Sequence, residues 1–574
     1  MVRYIFYFFV LSLLAPLPAS AQYLHRRHTE IVDGAGKPIL LRGVNLGNWL
    51  YLEPWMIGNT HFEMFSGEDG KPDEMADAVS DLVGPERAAQ FAKAWRDHAV
   101  TQADIRKIAS LGFNSVRVPL DSRLFTEGGV GFEYLDRLLA WGAASKVYVI
   151  PDMHGIPGGK LAWFKRSIYD SPEKQAQVAR AWSLIAARYK NNPWIGGYDL
   201  VNEPAIWDAP KLSGLYKMLI DAIRQSDTHH LVIAEGDVWG SNLGNLGLTD
   251  PGALWDSNLA LSDHDYGAPQ TPDSLGDHKR LAAKLDLPLW MGEFGYNSNT
   301  WDRRQIVLCE HAAPVAQGWC FWAWKSSFWT LATPSIPPGY TQLQSYWNKR
   351  KTDPNTPKPP AGEAFAALMA LAQGTALDRC TFNRDVADAL IRPDFLARAL
   401  PFRPNIQIPG TLTAAEYDLG AEGIAYHDVV STDEAGKGPA GRPWNSGWSG
   451  RNDGVDIYSH SDGETPCSVG GIEPGEWLQY SVKAAPGRYT LQIRHSGPGG
   501  TLHLSLGGVN ITGPITLPAT AGWETFETFS MPDLKITPRG PALLRLDFDT
   551  GGFNLSRLKF VRTSGKVALG EYPS

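Results

Sequence analysis

Residues 197–204 read Gly-Tyr-Asp-Leu-Val-Asn-Glu-Pro, and residues 287–295 read Leu-Pro-Leu-Trp-Met-Gly-Glu-Phe-Gly. Each stretch is a short apolar run that ends in polar groups, with Asn202 and Glu203 in the first and Glu293 in the second. Runs of this length predict buried strands of a parallel sheet. In a barrel built from such strands, functional groups lie where the strands end. These stretches therefore predict two strands that carry glutamates to the same edge.

The same pattern recurs from about residue 37 to 373 and alternates with helical stretches. The strand candidates are Ile39–Val44, Ser115–Pro119, Val147–Asp152, Gly197–Val201, Leu231–Ala234, Leu259–His264, Leu287–Gly292 and Trp319–Trp324. The helix candidates are Thr101–Ser110, Glu133–Ser145, Pro172–Lys190, Lys211–Ser226, Ser274–Leu285, Arg303–Ala316 and Gly362–Gln373. Eight such units predict an α/β fold, a closed (β/α)₈ barrel. The alternative is an open doubly wound sheet, but no Gly-rich phosphate loop follows the first strand.

The first residues resemble a targeting signal. Arg3 precedes the apolar run Ile5–Leu14, and the small residues Ala19-Ser20-Ala21 follow as a cleavage pattern. The run is too short to span a bilayer. We therefore expect residues 1–21 to be a signal peptide and the mature protein to be secreted or periplasmic, with no membrane anchor.

The composition and the hydrophobic pattern of the sequence change after the barrel segment. Residues 331–360 are rich in Pro, Lys and Asn and predict a long surface loop. Past Thr411, short alternating strands between Gly/Pro turns predict a β-sandwich. The predicted organisation is a signal peptide (1–21), a catalytic barrel domain (22–400), a linker (401–410) and a β-sandwich module (411–563).

Composition excludes several classes of function. The net charge of −8 gives no basic surface for a nucleic-acid partner, and no protein partner is evident. The four cysteines show no CxxC spacing, which argues against a zinc or redox site; Cys309 and Cys320 are either spatial neighbours or buried free thiols. No G-x-S-x-G motif is present, so a serine hydrolase is not indicated.

The two strand-end glutamates predict glycoside cleavage. That reaction needs two carboxyl groups that flank the scissile bond. One must be protonated to assist the leaving oxygen, and the other must be ionised to attack the anomeric carbon. Glu203 and Glu293 follow the fourth and seventh strands, which face the same central pocket. The chemistry therefore points to a polysaccharide or oligosaccharide as the substrate.

Other strand ends supply groups that suit this chemistry. Arg117 can hold the attacking carboxylate in its ionised form, because a guanidinium keeps its proton. His264 and Tyr266 are two residues apart on a strand, so both point to one face, and the phenol can hydrogen-bond the nucleophile. Candidates to bind the sugar itself are His154 and Asn202, through its hydroxyls, and Trp324, as a platform under the ring. Candidates to stack on neighbouring sugar units are Trp55, Trp163, Trp207 and Trp329.

The motifs at these positions resemble glycoside hydrolase family 5 over nearly the whole of residues 37–326. They are "LRGVNLGNW", "GFNSVRVPL", "DMHGIPGG", "LVNEP", "HDY", "GEFG" and "FWAWK", in family order. The resemblance implies a retaining (β/α)₈ hydrolase that needs no metal or other cofactor for catalysis. It implies Glu203 as acid/base and Glu293 as nucleophile. The supporting set implied by the resemblance is Arg117, His154, Asn202, His264, Tyr266 and Trp324.

Within that family, "HAVTQADIRKIASLGFNSVRVPL" and "HGIPGG" are similar to fungal-type exo-β-1,3-glucanases. This favours β-glucan, and β-1,3-glucan in particular. The first motif has Gly47-Asn48-Trp49 where those enzymes usually have Gly-Gly-Trp. The alternatives are an endo-β-1,4-glucanase, a mannanase or a transglycosylase on the same barrel. A carbohydrate-binding protein with an inactive barrel is a further alternative, against which both glutamates argue.

The C-terminal region resembles a family 6 carbohydrate-binding module. The resemblance rests on Ala415-Glu416-Tyr417, "GIEPGEWLQYSV", "GRYTLQIR", "AGWETF" and "LRLDFDTGGFNLSRLKF". It implies that Trp523 and Asn554 bind sugar, with Tyr458 as the opposing aromatic residue. It also implies a structural calcium ion, for which Glu416 and Asp549 are the candidate ligands.

Overall fold

The computed structural model describes residues 23–58, 74–157, 168–266, 275–295, 298–311, 316–327, 330–431, 450–459, 465–537 and 540–563. Within these ranges, no helix is both long enough and apolar enough to cross a lipid bilayer. The predicted signal peptide lies outside the described residues.

Parallel strands close into a barrel of eight, which confirms the predicted fold class. A short hairpin of β1 (His25–Arg27) and β2 (Glu30–Val32) precedes it. The barrel strands are β3 (Leu41–Asn45), β4 (Ser115–Asp121), β5 (Tyr148–Gly155), β6 (Tyr198–Asp199), β7 (Val232–Glu235), β8 (Leu259–Asp265), β9 (Leu289–Phe294) and β10 (Ala316–Phe321). They follow one another in sequence order around the barrel, and β10 closes it against β3. All the carboxyl ends therefore meet at one mouth.

Helices cover the outside of the barrel. They are α1 (Glu74–Val83), α2 (Pro85–Ala99), α3 (Gln102–Leu111), α4 (Gly131–Ser145), α5 (Pro172–Tyr189), α6 (Ala209–Arg224), α7 (Gly276–Lys284) and α8 (Asn299–His311). Local signals fix several starts: Thr101 and Asp104 form a capping box on α3, and the Asp208 side chain caps α6. Between β7 and β8 lie only the 3₁₀ turns Leu243–Leu246 and Pro251–Ala253, where the helical pattern is weak.

The segment after the barrel differs from the predicted surface loop. It holds β11 (Ala332–Thr333), α9 (Pro338–Thr352), α10 (Ala361–Gly374), β12 (Thr381–Phe382) and α11 (Arg384–Ile391). Helix α9 lies within residues 331–360, and it begins with Pro338 in its first turn, where a missing N–H costs nothing. Its buried residues include Leu343 and Trp347, so the segment packs on the barrel.

The C-terminal strands form two sheets that enclose a separate hydrophobic core, which gives the predicted sandwich. They are β13 (Ile406–Ile408), β14 (Gly410–Thr413), β15 (Tyr426–His427), β16 (Ile457–Tyr458), β17 (Ser468–Val469), β18 (Trp477–Ala484), β19 (Gly487–Ser496), β20 (Gly500–Leu506), β21 (Val509–Asn510), β22 (Ile515–Leu517), β23 (Glu527–Ile536), β24 (Gly540–Phe548) and β25 (Asn554–Arg562). Strand β13 pairs with β18, and Ile406 and Ile408 are buried in this core. Residues 401–410 are therefore part of the sandwich rather than a free linker. The four cysteines are unpaired.

Buried polar contacts join the barrel to the sandwich. Asn299, the first residue of α8, donates from Nδ2 to Asp385 Oδ2 at 2.8 Å and to Asp453 Oδ1 at 2.9 Å. The Asn452 backbone N–H donates to the same Asp385 oxygen at 2.7 Å, and the Asn299 N–H donates to the Asn452 carbonyl at 2.8 Å. All four residues are buried. The start of α8 is thereby anchored to the sandwich.

An Asn299→Ala variant is expected to lose about 3 kcal/mol of stability, because it removes two hydrogen bonds to buried carboxylates. Urea unfolding followed by tryptophan fluorescence measures the loss. Asn355, on the exposed turn after α9, supplies the matched control Asn355→Ala. Equal stability of the two variants would contradict a supporting role for this contact.

Candidate active site

The carboxyl ends of the barrel strands bring Glu203 and Glu293 into one pocket. Glu293 belongs to β9, and Glu203 lies in the loop that leaves β6. One oxygen of each carboxyl and one nitrogen of His264, in β8, all lie within 4.8 Å of one another. The two glutamates singled out from the sequence are therefore neighbours at the barrel mouth.

Glu293 is held by a donor on each oxygen. Arg117 Nη1 donates to Oε1 at 2.5 Å, and the Tyr266 hydroxyl donates to Oε2 at 2.8 Å. The residue is only 3% exposed. Both donors favour the ionised carboxyl, so the contacts expected of Arg117 and Tyr266 are present in the structure.

Arg117 is the centre of a fully buried ionic network. Its Nε donates to Asp199 Oδ2 at 2.7 Å, and its Nη2 donates to Glu235 Oε1 at 2.7 Å. Asp152 Oδ1 lies 3.1 Å from Nη2. None of these three acids was singled out from the sequence, although Asp199 and Glu235 are the last residues of β6 and β7. The network fixes the guanidinium that contacts Glu293.

Glu203 is held through its backbone as well as its side chain. Its N–H donates to Glu235 Oε2 at 2.5 Å, and its φ of 49° lies in the left-handed region. His264 Nδ1 lies 3.0 Å from Glu203 Oε1, and His264 Nε2 lies 3.3 Å from Glu235 Oε1. The Glu203 side chain is 18% exposed, against 5% for Glu293. Glu203 is therefore the carboxyl more open to the pocket.

Burial and charge set the protonation of this cluster. Burial raises the pKa of Glu293 to about 8, and the positive charges of His264 and Arg117 oppose that rise. Burial likewise raises the pKa of Asp199 to about 7. For His264, burial works against the charged ring, but the carboxylates of Glu235 and Glu293 outweigh it and raise its pKa well above the usual value. The site therefore combines cationic groups with carboxyls that hold protons far more readily than exposed ones.

His154 and Asn202 line the same pocket. His154 Nδ1 lies 2.8 Å from Asp152 Oδ2, and its Nε2 lies 3.3 Å from Asn202 Nδ2. Asn202 Oδ1 accepts from Arg117 Nη2 at 2.8 Å. Both residues are nearly fully buried. The structure thus brings the two polar residues predicted to bind sugar hydroxyls next to the glutamates.

The prediction of Trp324 as the platform under the sugar is wrong. Trp324 is 1% exposed, and its indole N–H donates to Asp104 of α3 at 2.8 Å, so it is a core residue. Strand β10 ends at Phe321, three residues earlier than predicted, which brings Trp322 to the mouth instead. The Trp322 ring stacks on His154 with centroids 5.6 Å apart. Trp322 therefore replaces Trp324 as the platform candidate.

Trp55 is linked to His154 through Glu53. Its indole N–H donates to Glu53 Oε1 at 3.3 Å, and the same oxygen lies 3.9 Å from His154 Nε2. Glu53 is buried and was not singled out from the sequence. Trp163 and Trp329 lie outside the described residues.

The three ligand candidates of the sandwich also lie together. A Cβ on Gly470 would lie 2.3 Å from Asn554 Oδ1 and 2.7 Å from the Tyr458 ring, so only glycine permits their approach. Asn554 Nδ2 lies 3.4 Å from the backbone oxygen of Trp523, whose side chain is 50% exposed. Trp523 thus exposes its side chain while its backbone oxygen contacts Asn554. An exposed aromatic ring suits stacking on a sugar.

The two candidate calcium ligands lie in separate ion pairs. Glu416 Oε1 lies 2.6 Å from Arg403 Nη2, and Asp549 Oδ1 lies 2.9 Å from His503 Nδ1. Among the described residues, groups of three or more side chains with metal-ligand spacing include neither acid. The calcium site stays a prediction.

A closed (β/α)₈ barrel with two adjacent carboxyls at its mouth has the pair of groups that glycoside hydrolysis requires. Residues 77–328 match the family model described as cellulase (glycosyl hydrolase family 5). Residues 451–560 match the model for a carbohydrate binding module of family 35. The prediction of family 6 is therefore wrong. The error is understandable because different families of carbohydrate-binding module share the β-sandwich architecture.

Three curated proteins illustrate the similarity. A β-xylosidase of Phanerodontia chrysosporium is 29% identical over 304 residues, which cover 48% of this chain and 61% of that protein. A probable glucan endo-1,6-β-glucosidase B of Aspergillus fumigatus is 28% identical over 50% of this chain and 83% of its own length. A probable glucan 1,3-β-glucosidase A of Aspergillus niger is 28% identical over 50% of this chain and 71% of its own length.

Proposed function

We propose that this protein is a secreted retaining β-glycosidase that hydrolyses β-glucan, with β-1,3-glucan as its favoured substrate. The observation that carries the proposal is the approach of Glu203 and Glu293 to within 4.8 Å at the barrel mouth. Retaining enzymes hold their carboxyls about 5–5.5 Å apart, whereas inverting enzymes leave about 6.5–9.5 Å for a water molecule. The names of the two glucanase relatives support β-glucan as the substrate class.

In the proposed mechanism Glu293 is the nucleophile and Glu203 the acid/base. The Glu293 carboxylate attacks the anomeric carbon while the bond to the leaving oxygen breaks and Glu203 gives that oxygen its proton. Glu203 then takes a proton from water, which attacks the same carbon and releases Glu293. The donors on both oxygens of Glu293 and the greater exposure of Glu203 support these roles. Arg117 and His264 supply positive charge at Glu293. The resemblance to family 5 implies that catalysis needs no metal or other cofactor.

Product analysis tests the proposal. The protein without residues 1–21 is incubated with β-1,3-, β-1,4- and β-1,6-glucans and with mannan, and the fresh products are examined by size and by proton NMR. We expect β-1,3-glucan to be cleaved fastest and the β-anomer to form first. Initial release of the α-anomer would contradict the retaining mechanism, and cleavage of mannan alone would contradict the substrate.

A Tyr266→Phe variant is expected to move the acidic limb of the kcat/KM profile about one pH unit upward. The ionised form of Glu293 reacts, and loss of a hydrogen bond to that form raises a pKa that burial already holds at about 8. Activity should therefore be lost at a higher pH as the medium is acidified. Tyr346→Phe, on α9, is the control. A limb that stays in place or moves to lower pH would contradict the proposed role of the phenol.

We also propose that the sandwich binds glucan at Trp523, Asn554 and Tyr458. Trp523→Ala removes the exposed ring and is expected to weaken binding of the full chain to insoluble β-glucan about tenfold in Kd. A pull-down isotherm measures the change, and Val509→Ala, also exposed in the sandwich, is the matched control. Unchanged binding by the Trp523 variant would contradict the site.

The proposed location is outside the cytoplasm. The apolar run Ile5–Leu14 and the Ala19-Ser20-Ala21 cleavage pattern support export. A polysaccharide substrate and a carbohydrate-binding module are consistent with that location. Mass spectrometry of the mature N-terminus tests it: an N-terminus at Gln22 is expected, and a retained Met1 would contradict it.

A further inference from the structure

Two exposed tryptophans form a pair beside the barrel mouth. Trp207 is 57% exposed and Trp239 is 40% exposed. Their rings lie edge to face, with centroids 6.0 Å apart and planes at 88°. Trp207 lies in the loop after β6 and Trp239 in the loop after β7, so both come from strand ends that form the mouth. Large rings this exposed give up the stabilisation that burial would provide, and a bound ligand can recover it.

One buried carboxylate holds both loops. Asp237 Oδ1 accepts from the backbone N–H of Ile206 at 2.7 Å and from that of Val238 at 2.9 Å, while Oδ2 accepts from the Trp207 N–H at 2.7 Å. The Trp239 N–H donates to the Pro204 carbonyl at 3.0 Å. Asp237 itself is fully buried. The backbone that carries both tryptophans is therefore held by these hydrogen bonds.

The backbone of the pair is in a costly conformation. Trp207 has a φ of 52° and Trp239 a φ of 58°. Val238, which precedes Trp239, also has a φ of 58°. Left-handed geometry costs about 1–2 kcal/mol for such residues. Hydrogen bonds from Trp207 and Val238 to Asp237, and from Trp239 to the Pro204 carbonyl, offset that cost. A strained arrangement that exposes apolar rings fits a binding role better than a packing role.

The turn that holds Trp207 also holds Glu203. The Glu203 N–H is bound by Glu235 and the Trp207 N–H by Asp237, and these two acids are two residues apart at the end of β7. The proposed acid/base and the tryptophan pair therefore belong to one rigid unit. Because Glu203 protonates the leaving oxygen, the sugar attached to that oxygen lies on the Glu203 side of the pocket.

We propose that Trp207 and Trp239 form a binding site for the leaving-side sugar units of the β-glucan chain, and that Asp237 is its positioning residue. The apolar C–H faces of a glucose unit would stack on one ring and rest against the edge of the other. The same site takes the acceptor when a sugar, rather than water, reacts with the glycosyl-enzyme. This inference rests on the proposed function, because it needs Glu203 as the acid/base.

The test compares two substrates that differ only on the leaving side. β-1,3-linked glucotriose leaves sugar units on the Glu203 side, whereas β-glucosyl fluoride leaves only fluoride. The measured quantity is the ratio of kcat/KM for the trisaccharide to kcat/KM for the fluoride, in which effects on the shared donor side cancel. Trp207→Ala and Trp239→Ala are each expected to lower this ratio about tenfold. Trp207→Phe is expected to restore part of it, and Asp237→Asn is expected to lower it with both rings intact.

Met218→Ala, exposed on α6, is the control variant and should keep the wild-type ratio. Circular dichroism establishes that each variant is folded. If the wild type releases no fluoride and cleaves no trisaccharide, the proposed function fails and this inference fails with it. If the wild type turns over both but the tryptophan variants keep its ratio, this inference alone is overturned. A change from dimer to monomer in those variants with an unchanged ratio would assign the pair to self-association instead.

Discussion

A Glu293→Ala variant is expected to cleave β-glucan roughly 10⁵-fold more slowly than the wild type, close to complete loss. In the proposed mechanism this carboxylate forms the bond to the anomeric carbon, so its removal stops the first step. The substitution also leaves Arg117 with one acceptor fewer in a fully buried network. Initial rates on β-1,3-glucan measure the effect, with Glu363→Ala, an exposed residue of α10, as the control.

Added azide tests the role of Glu293 as well as its necessity. The small anion fits the space that the carboxyl leaves and attacks the anomeric carbon from the same face. We therefore expect partial recovery of turnover on an aryl β-glucoside with a good leaving group, and a glycosyl azide of inverted configuration by NMR. A glycosyl azide of retained configuration would assign the acid/base role to Glu293 and reverse the proposal.

The barrel and its glutamate pair could be predicted because their signals are local. Each barrel strand is a short apolar run in the sequence. Glu203 and Glu293 each lie just after such a run. Parallel strands carry their carboxyl ends to one mouth, so strand order alone brings the two glutamates together. Their approach to within 4.8 Å follows from that geometry.

The error at Trp324 arises where the local signal is ambiguous. The apolar run of the eighth strand continues from Phe321 through Trp324, so composition does not mark the strand end. Trp324 is buried against α3, where its indole N–H donates to Asp104, a residue 220 positions away in sequence. Such a contact exists only once α3 packs on the closed barrel, and no pattern around residue 324 contains it.

The buried acids around Arg117 were missed for a related reason. An isolated Asp199 or Glu235 in a sequence has the appearance of a surface residue, since unpaired carboxylates avoid the interior. Arg117, from another strand, forms ion pairs with both acids and so offsets part of the cost of burying them. The sandwich shows the same limit. Its longer strands could be predicted from alternating apolar and polar residues, but Ile406–Ile408 is too short for such a pattern, and only its pairing with β18 distinguishes it from a linker.

A Glu203→Ala variant is expected to separate the two chemical steps. Hydrolysis of β-glucan should fall about 10³-fold, because the departing sugar oxygen no longer receives a proton. For 2,4-dinitrophenyl β-glucoside the first step should survive, because that leaving group needs little assistance. The second step still lacks a base for the attacking water. A burst of dinitrophenol followed by slow turnover is therefore expected in rapid-mixing experiments.

Azide distinguishes this variant from the one that lacks Glu293. Here the covalent bond to Glu293 still forms, so azide attacks the intermediate from the opposite face and gives a glycosyl azide of retained configuration. Because Glu203 lies on the open side of the pocket, with 18% of its side chain exposed, azide can reach the position from which water attacks. An inverted azide, or equal losses on glucan and on the activated glucoside, would show that Glu203 is not the acid/base. The two variants should give opposite azide products because azide makes the only displacement when Glu293 is absent and the second displacement when Glu203 is absent.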